Sequence, residues 1–140
     1  MAHINLKGVV IGGLLAGLII NISESILNIP VLGAQMEAAL RALNLPPVGN
    51  GPIVVFLVGG FALGLILVWL YAAIRPRFGA GPKTAIIAAI VLWFLAYFWP
   101  SLGMGLMGFM PMKLLSVGVV WGLAEVIIAA LAGGAVYKEA

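Results

Sequence analysis

Two glutamates interrupt long apolar runs, Glu24 in one and Glu125 in another. An ionisable group at the centre of a bilayer costs about 2.5–3.5 kcal/mol on insertion scales, so it needs an offsetting role. Glu24 stands in Asn21-Ile22-Ser23-Glu24-Ser25-Ile26-Leu27-Asn28, where helical spacing puts Asn21, Glu24, Ser25 and Asn28 on one face. Glu125 follows Trp121 by one turn, with Gly118 and Gly122 on adjoining turns and no polar neighbour on its own helix. No Lys or Arg lies within these runs to pair with either carboxylate. A carboxyl group shielded from water holds its proton more tightly than one in solvent, which suits proton exchange against a cation. Protonated and hydrogen-bonded, the same group would instead pin helices together or meet another subunit. For Glu24, with three polar neighbours, the two roles are evenly balanced. For Glu125 a functional or intersubunit role is slightly favoured, and spacing alone does not bring the two together.

Other chemistry finds little material. There is no cysteine, which removes disulfides, thiolate metal sites and Cys nucleophiles together. The single histidine, His3, lies outside every apolar run, so neither a bis-His haem nor a His proton relay can be built from this chain. His3 behind a free amino terminus could bind Cu(II) or Ni(II), but an ordinary tail residue is the expectation. Met104, Met107, Met110 and Met112 could offer thioethers to Cu(I). Flexible apolar filling of an outer loop is the favoured role of these methionines, and no metal or other cofactor is expected. No Ser-His-Asp set or metal cluster is present, and an enzyme is not expected.

The elements that must hold these residues follow from composition. Of 140 residues 64% are hydrophobic, and only seven basic and four acidic residues are present. So few charges cannot cover a water-soluble surface, and disordered chains are polar rather than apolar. A crossing helix needs roughly 20 apolar residues, which makes four spans the natural number. The charges divide the chain into runs 8–29, 53–74, 84–99 and 114–137. The expected fold is therefore all-α, a single membrane domain built as an integral four-helix bundle. Leu32-Gly33-Ala34 passes as a weak cleavage site after the first run, but a retained helix is expected. Between the first two spans, Leu32, Met36, Leu40 and Leu43 recur at near-helical spacing, with Glu37 and Arg41 paired on another face. This predicts a short amphipathic helix over 32–44 lying in the outer interface, ended by Pro46-Pro47.

Nineteen glycines add a packing signal. Gly8 with Gly12, Gly13 with Gly17, Gly60 with Gly64, and Gly118 with Gly122 fall four apart, the spacing that lets helix backbones approach closely. Gly8–Gly12 and Gly118–Gly122 share a Gly-Val-Val-x-Gly pattern, a weak hint of a repeat. Spans one, two and four carry the small-residue pattern. Span three instead carries Trp93, Phe94, Tyr97, Phe98 and Trp99, so it is expected at the rim or against another subunit. With four spans, Lys7, Arg75, Arg77, Lys83 and Lys138 share one side, against Arg41 and Lys113 on the other. The positive-inside rule then predicts both termini in the cytoplasm. Trp69, Tyr71, Trp99 and Tyr137 fall near the expected interfaces, as an aromatic belt would. The net charge of +3 reflects these helix ends rather than a nucleic-acid surface. Arg75, Arg77 and Lys83 bound a tight turn that would also meet lipid headgroups.

The segment Tyr71-Ala72-Ala73-Ile74-Arg75-Pro76-Arg77-Phe78-Gly79-Ala80-Gly81-Pro82-Lys83-Thr84 resembles one found in a family of small, uncharacterised four-helix bacterial membrane proteins. The likeness is sharp over these fourteen residues and extends loosely over the chain, including 21–28 and 121–125. It implies the four-span architecture in the bacterial cytoplasmic membrane and brings no activity with it. The leading expectation is a non-catalytic helical subunit of a homo-oligomer or a larger membrane complex. The alternatives are a small oligomeric proton- or cation-coupled transporter using Glu24 and Glu125, and a binder of lipid or another hydrophobic molecule.

Overall fold

A computed structural model describes residues 3–139, and all elements among them are helical. The helices are α1 (Leu6–Ile26), α2 (Gly33–Ala42), α3 (Asn50–Phe78), α4 (Pro82–Trp93), α5 (Trp99–Leu106) and α6 (Met112–Val136). Two π turns, Leu27–Val31 and Phe94–Phe98, carry α1 onward to α2 and join α4 to α5. Four stretches are long and apolar enough to cross a membrane: Leu6–Val31, Asn50–Phe78, Pro82–Leu106 and Met112–Val136. The third is longer than expected, because the helix continues through Pro100 and takes Met104 out of the outer loop.

The π turns have local causes. Proline lacks an N–H and crowds the carbonyl four residues earlier, so a helix passing through one widens or kinks. Pro30 lies inside the first π turn, where the Leu32 amide donates to the Leu27 carbonyl five residues back (2.7 Å). Pro100 follows the second, where the Trp99 amide donates to the Phe94 carbonyl, again five back.

Around the bundle the order is α1, α3, α4, α6, with α3 and α6 also meeting across the middle. The α1–α3 crossing is close because glycine faces glycine. A Cβ on Gly64 would collide with the Gly17 nitrogen and the Gly13 carbonyl oxygen, and one on Gly13 or Gly17 would strike Leu65 or Phe61. Gly12 packs in the same way on Gly133 of α6, a small-residue contact that the spacing did not single out. Gly118 departs from the expectation, for a Cβ there would meet nothing within 4 Å. Its side of α6 faces a cavity, not a helix.

Span three also departs from its expected place at the rim. Thr84, Ala85, Ala88, Ala89 and Leu92 of α4 are buried, and α4 packs extensively on α6. Alanine does here what glycine does elsewhere in the bundle, letting two helices approach. The rim position holds only for the later aromatic part, where Phe94, Leu95 and Trp99 are exposed. Phe94 stacks on Phe98 and Trp99 there, with centroids 5.4 and 6.3 Å apart.

The turn between α3 and α4 is tighter than the basic segment suggests, because α3 runs on to Phe78. Gly79 (φ 89°) and Gly81 (φ 128°) take left-handed backbone that other residues rarely adopt. The Thr84 hydroxyl donates to the Gly79 carbonyl (2.6 Å), and the Gly81 amide donates to the Tyr71 hydroxyl (3.1 Å). Both chain ends gather at this end of the bundle: the Asn5 amide donates to the Tyr137 hydroxyl, and Asn5 Nδ2 donates to the Lys138 carbonyl. At the other end α2 lies on the bundle through Leu32, Met36 and Ala39, packed against Leu27, Met110 and Leu114. The expected Leu43 is 40% exposed and Ala39 takes its place, because α2 ends at Ala42. The expected Glu37–Arg41 pair forms on the solvent side of α2 (2.6 Å).

Candidate functional site

The site is assembled from three spans around Glu125, which is 3% exposed. Gly122, one turn before it on α6, is the seat: a Cβ there would strike the Tyr97 ring. With that space open, Tyr97 lies against α6 and its hydroxyl donates to Glu125 Oε2 (2.8 Å). The π turn sets the approach of Tyr97, and Trp93 fixes the turn before it by donating its indole N–H to the Val119 carbonyl (2.8 Å). From α1, Glu24 and Ser23 adjoin the Glu125 carboxyl. Ser23 is held by the Trp121 indole N–H, which donates to its hydroxyl (2.9 Å). Glu125 Oε1 is buried and has no hydrogen-bond partner among the described residues.

Glu24 and Glu125 thus meet, the juxtaposition that spacing alone left open. Asn28 belongs with them, since its Nδ2 donates to Glu24 Oε2 (2.9 Å) and to the Glu24 carbonyl (2.8 Å). Asn21 does not. It turns toward α3, where its Nδ2 donates to the Leu57 carbonyl (3.0 Å), in space that Gly60 leaves open. Ser25 only donates back to the Asn21 carbonyl (2.8 Å). Asn21 therefore braces α1 against α3, Ser25 bonds only within α1, and neither lines the two hollows. Ser23 and Tyr97 were missed as site residues. Ser23 lies beside the polar face of α1, and Tyr97 read as one aromatic among five.

Two hollows meet at this cluster. The larger, about 710 Å³, is a groove along α6 beside α1, reaching Ser23, Trp121 and Glu125 between walls of Val117, Val120, Ala124 and Ile128. Val120 (70%) and Ile128 (56%) are exposed, so the groove opens on the flank of the bundle. The smaller, about 220 Å³, is a vestibule among α2, α5 and α6, with Glu24, Asn28, Tyr97 and Ser101 among its lining. Glu125 belongs to the groove and Glu24 to the vestibule, so the carboxylate pair and the Tyr97–Glu125 hydrogen bond stand between them.

The remaining candidates lie elsewhere. Met104 and Met110 line the vestibule, whereas Met107 and Met112 are exposed, so the four thioethers do not share one centre. Among the described residues no three His, Cys, Asp or Glu side chains group to hold a metal. Met1 and Ala2, which an amino-terminal copper or nickel site with His3 would use, lie outside the described residues. Arg77 and Lys83 are exposed at the α3–α4 turn. Arg75 is folded back, its guanidinium near the rings of Tyr71 (6.0 Å) and Tyr137 (5.6 Å) and 3.6 Å from Glu139.

The chain matches no protein family, no curated protein and no solved structure. What the site can do therefore follows from its own geometry.

Proposed function

We propose that this protein is a small proton- or cation-coupled membrane transporter whose exchange site is the Glu24–Glu125 pair. The supporting observation is that two carboxylates from different helices adjoin, one in each of two hollows, with a buried carboxylate oxygen that has no hydrogen-bond partner among the described residues. Neighbouring carboxyl groups resist ionising together, so they share protons or take up a cation. The titratable groups of the cluster are Glu24, Glu125 and Tyr97, and no Lys, Arg or His lines either hollow to neutralise them. The setting we propose is the bacterial cytoplasmic membrane, with the vestibule on the outer side and both termini in the cytoplasm. That orientation follows from the basic residues gathered at the other end.

The test is proton flux in vesicles reconstituted with the full chain, read by an internal pH dye when a monovalent cation is added against a pH gradient. Cation-dependent flux is expected to fall at least tenfold in Glu24→Gln and in Glu125→Gln. Equal flux in wild type and both variants sinks the transport reading.

A second reading, a non-catalytic subunit of a homo-oligomer or larger complex, draws on the exposed Phe94–Trp99 stack at the rim of span three. Purification in a single size class that Phe94→Ala and Trp99→Ala leave unchanged would remove its support.

A further inference from the structure

We propose that the ligand of this site is an amphipathic organic cation that reaches Glu125 sideways from the bilayer, through the groove along α6. The inference rests on the proposed exchange site and adds to it a substrate class and a route. Three features of the groove select that class. Its walls are apolar and exposed on the flank of the bundle, in Val117, Val120, Ala124 and Ile128. A hydrated inorganic ion would have to shed its water to pass them, whereas a cation with an apolar body already dissolves in the membrane. Its volume, about 710 Å³, lies within the range of small-molecule sites and far exceeds what a bare ion needs.

The floor supplies the charge selection. Glu125 offers a buried oxygen with no partner among the described residues, and no Lys, Arg or His lines the groove to compete for it. Trp121 lines the same groove with its single N–H already donated to the Ser23 hydroxyl, which leaves the indole no donor to offer an anion. A ring face beside a carboxylate is suited to an organic cation, which it attracts through its quadrupole.

Tetraphenylphosphonium is the probe, titrated calorimetrically into the full chain in lipid nanodiscs, with tetraphenylborate as the anion of the same shape. Saturable binding of the cation alone is expected. Glu125→Gln should weaken it at least tenfold by removing the charge. Ala124→Trp should do the same by filling the groove, and Ala124 is exposed, so this change leaves the core untouched. Val55→Trp, at an exposed position of α3, should change nothing. The inference is overturned if no saturable binding occurs, if the anion binds as well as the cation, or if both Glu125→Gln and Ala124→Trp bind normally. It is overturned equally if Ala124→Cys cross-links to a second copy at full yield and the cation does not compete, for then another chain covers the groove. Glutamate-dependent flux of inorganic cations without phosphonium binding would leave the exchange site standing and remove only this ligand and route. Phosphonium binding without flux would do the reverse.

Discussion

Tyr97 and Glu125 form a hydrogen bond in which each partner depends on the other. Glu125 is 3% exposed and already has one oxygen without a donor, so the Tyr97 hydroxyl is its one hydrogen-bond donor among the described side chains. Removing one partner of a buried pair costs the desolvation of the group left behind, about 1–3 kcal/mol, whereas removing both can be nearly neutral. Tyr97→Phe should therefore lower stability by about that amount, and Glu125→Leu should lower it too. The double variant should lose clearly less than the sum, and thermal unfolding of the four proteins in one detergent checks this. Strict additivity would show that the bond carries no coupling. At this scale the glutamates were legible, because a charge in an apolar run is conspicuous. The partners from other helices were not: Ser23 gains its role from Trp121, and Tyr97 gains its role from Glu125 through the space left at Gly122.

Helices in lipid gain little from apolar contact, so their association rests on close approach and on a few interhelical hydrogen bonds. The α1–α3 crossing could be foreseen from Gly13, Gly17, Gly60 and Gly64, and the structure uses all four. The α4–α6 contact could not, because alanine is so common in apolar helices that Ala85, Ala88 and Ala89 gave no signal beside five aromatics. The π turns were equally hidden. Pro30 and Pro100 announce a disturbance but not the widened turns, the second of which carries Tyr97. If the alanine face is the true contact of span three, Ala88→Leu, at a site with no exposure, should force α4 from its neighbours. Overpacking of that kind costs about 1–3 kcal/mol. Leu95→Ala, at a site 63% exposed, should stay within about 0.5 kcal/mol. The unfolding midpoints of the two variants decide it, and the opposite ranking would return span three to the rim.

For the molecule as a whole, four spans with both termini at one end follow from where charges interrupt the apolar runs; the structure has four helices long and apolar enough to cross, and it joins Asn5 to Tyr137 and Lys138. Which end faces which compartment is a matter of charge. Lys7, Arg77 and Lys83 lie with Arg75 and Lys138 at the end where α3 turns into α4, while Arg41 and Lys113 are the basic residues of the other. Folding Arg75 between Tyr71 and Tyr137 lowers its exposure without moving it to the other end, so the charge asymmetry behind the proposed orientation survives. In the proposed orientation the vestibule would open outward and the groove would begin within the bilayer, one approach from water and one from lipid. The chain has no cysteine, so single substitutions report cleanly. Val48→Cys, exposed between α2 and α3, should react with an impermeant maleimide in intact bacterial cells. Ala80→Cys, exposed in the α3–α4 turn, should react only after lysis. The reverse pattern would invert the molecule and put the vestibule on the cytoplasmic side. Labelling of both in intact cells would contradict the four crossings themselves, since the two sites are separated by α3 alone.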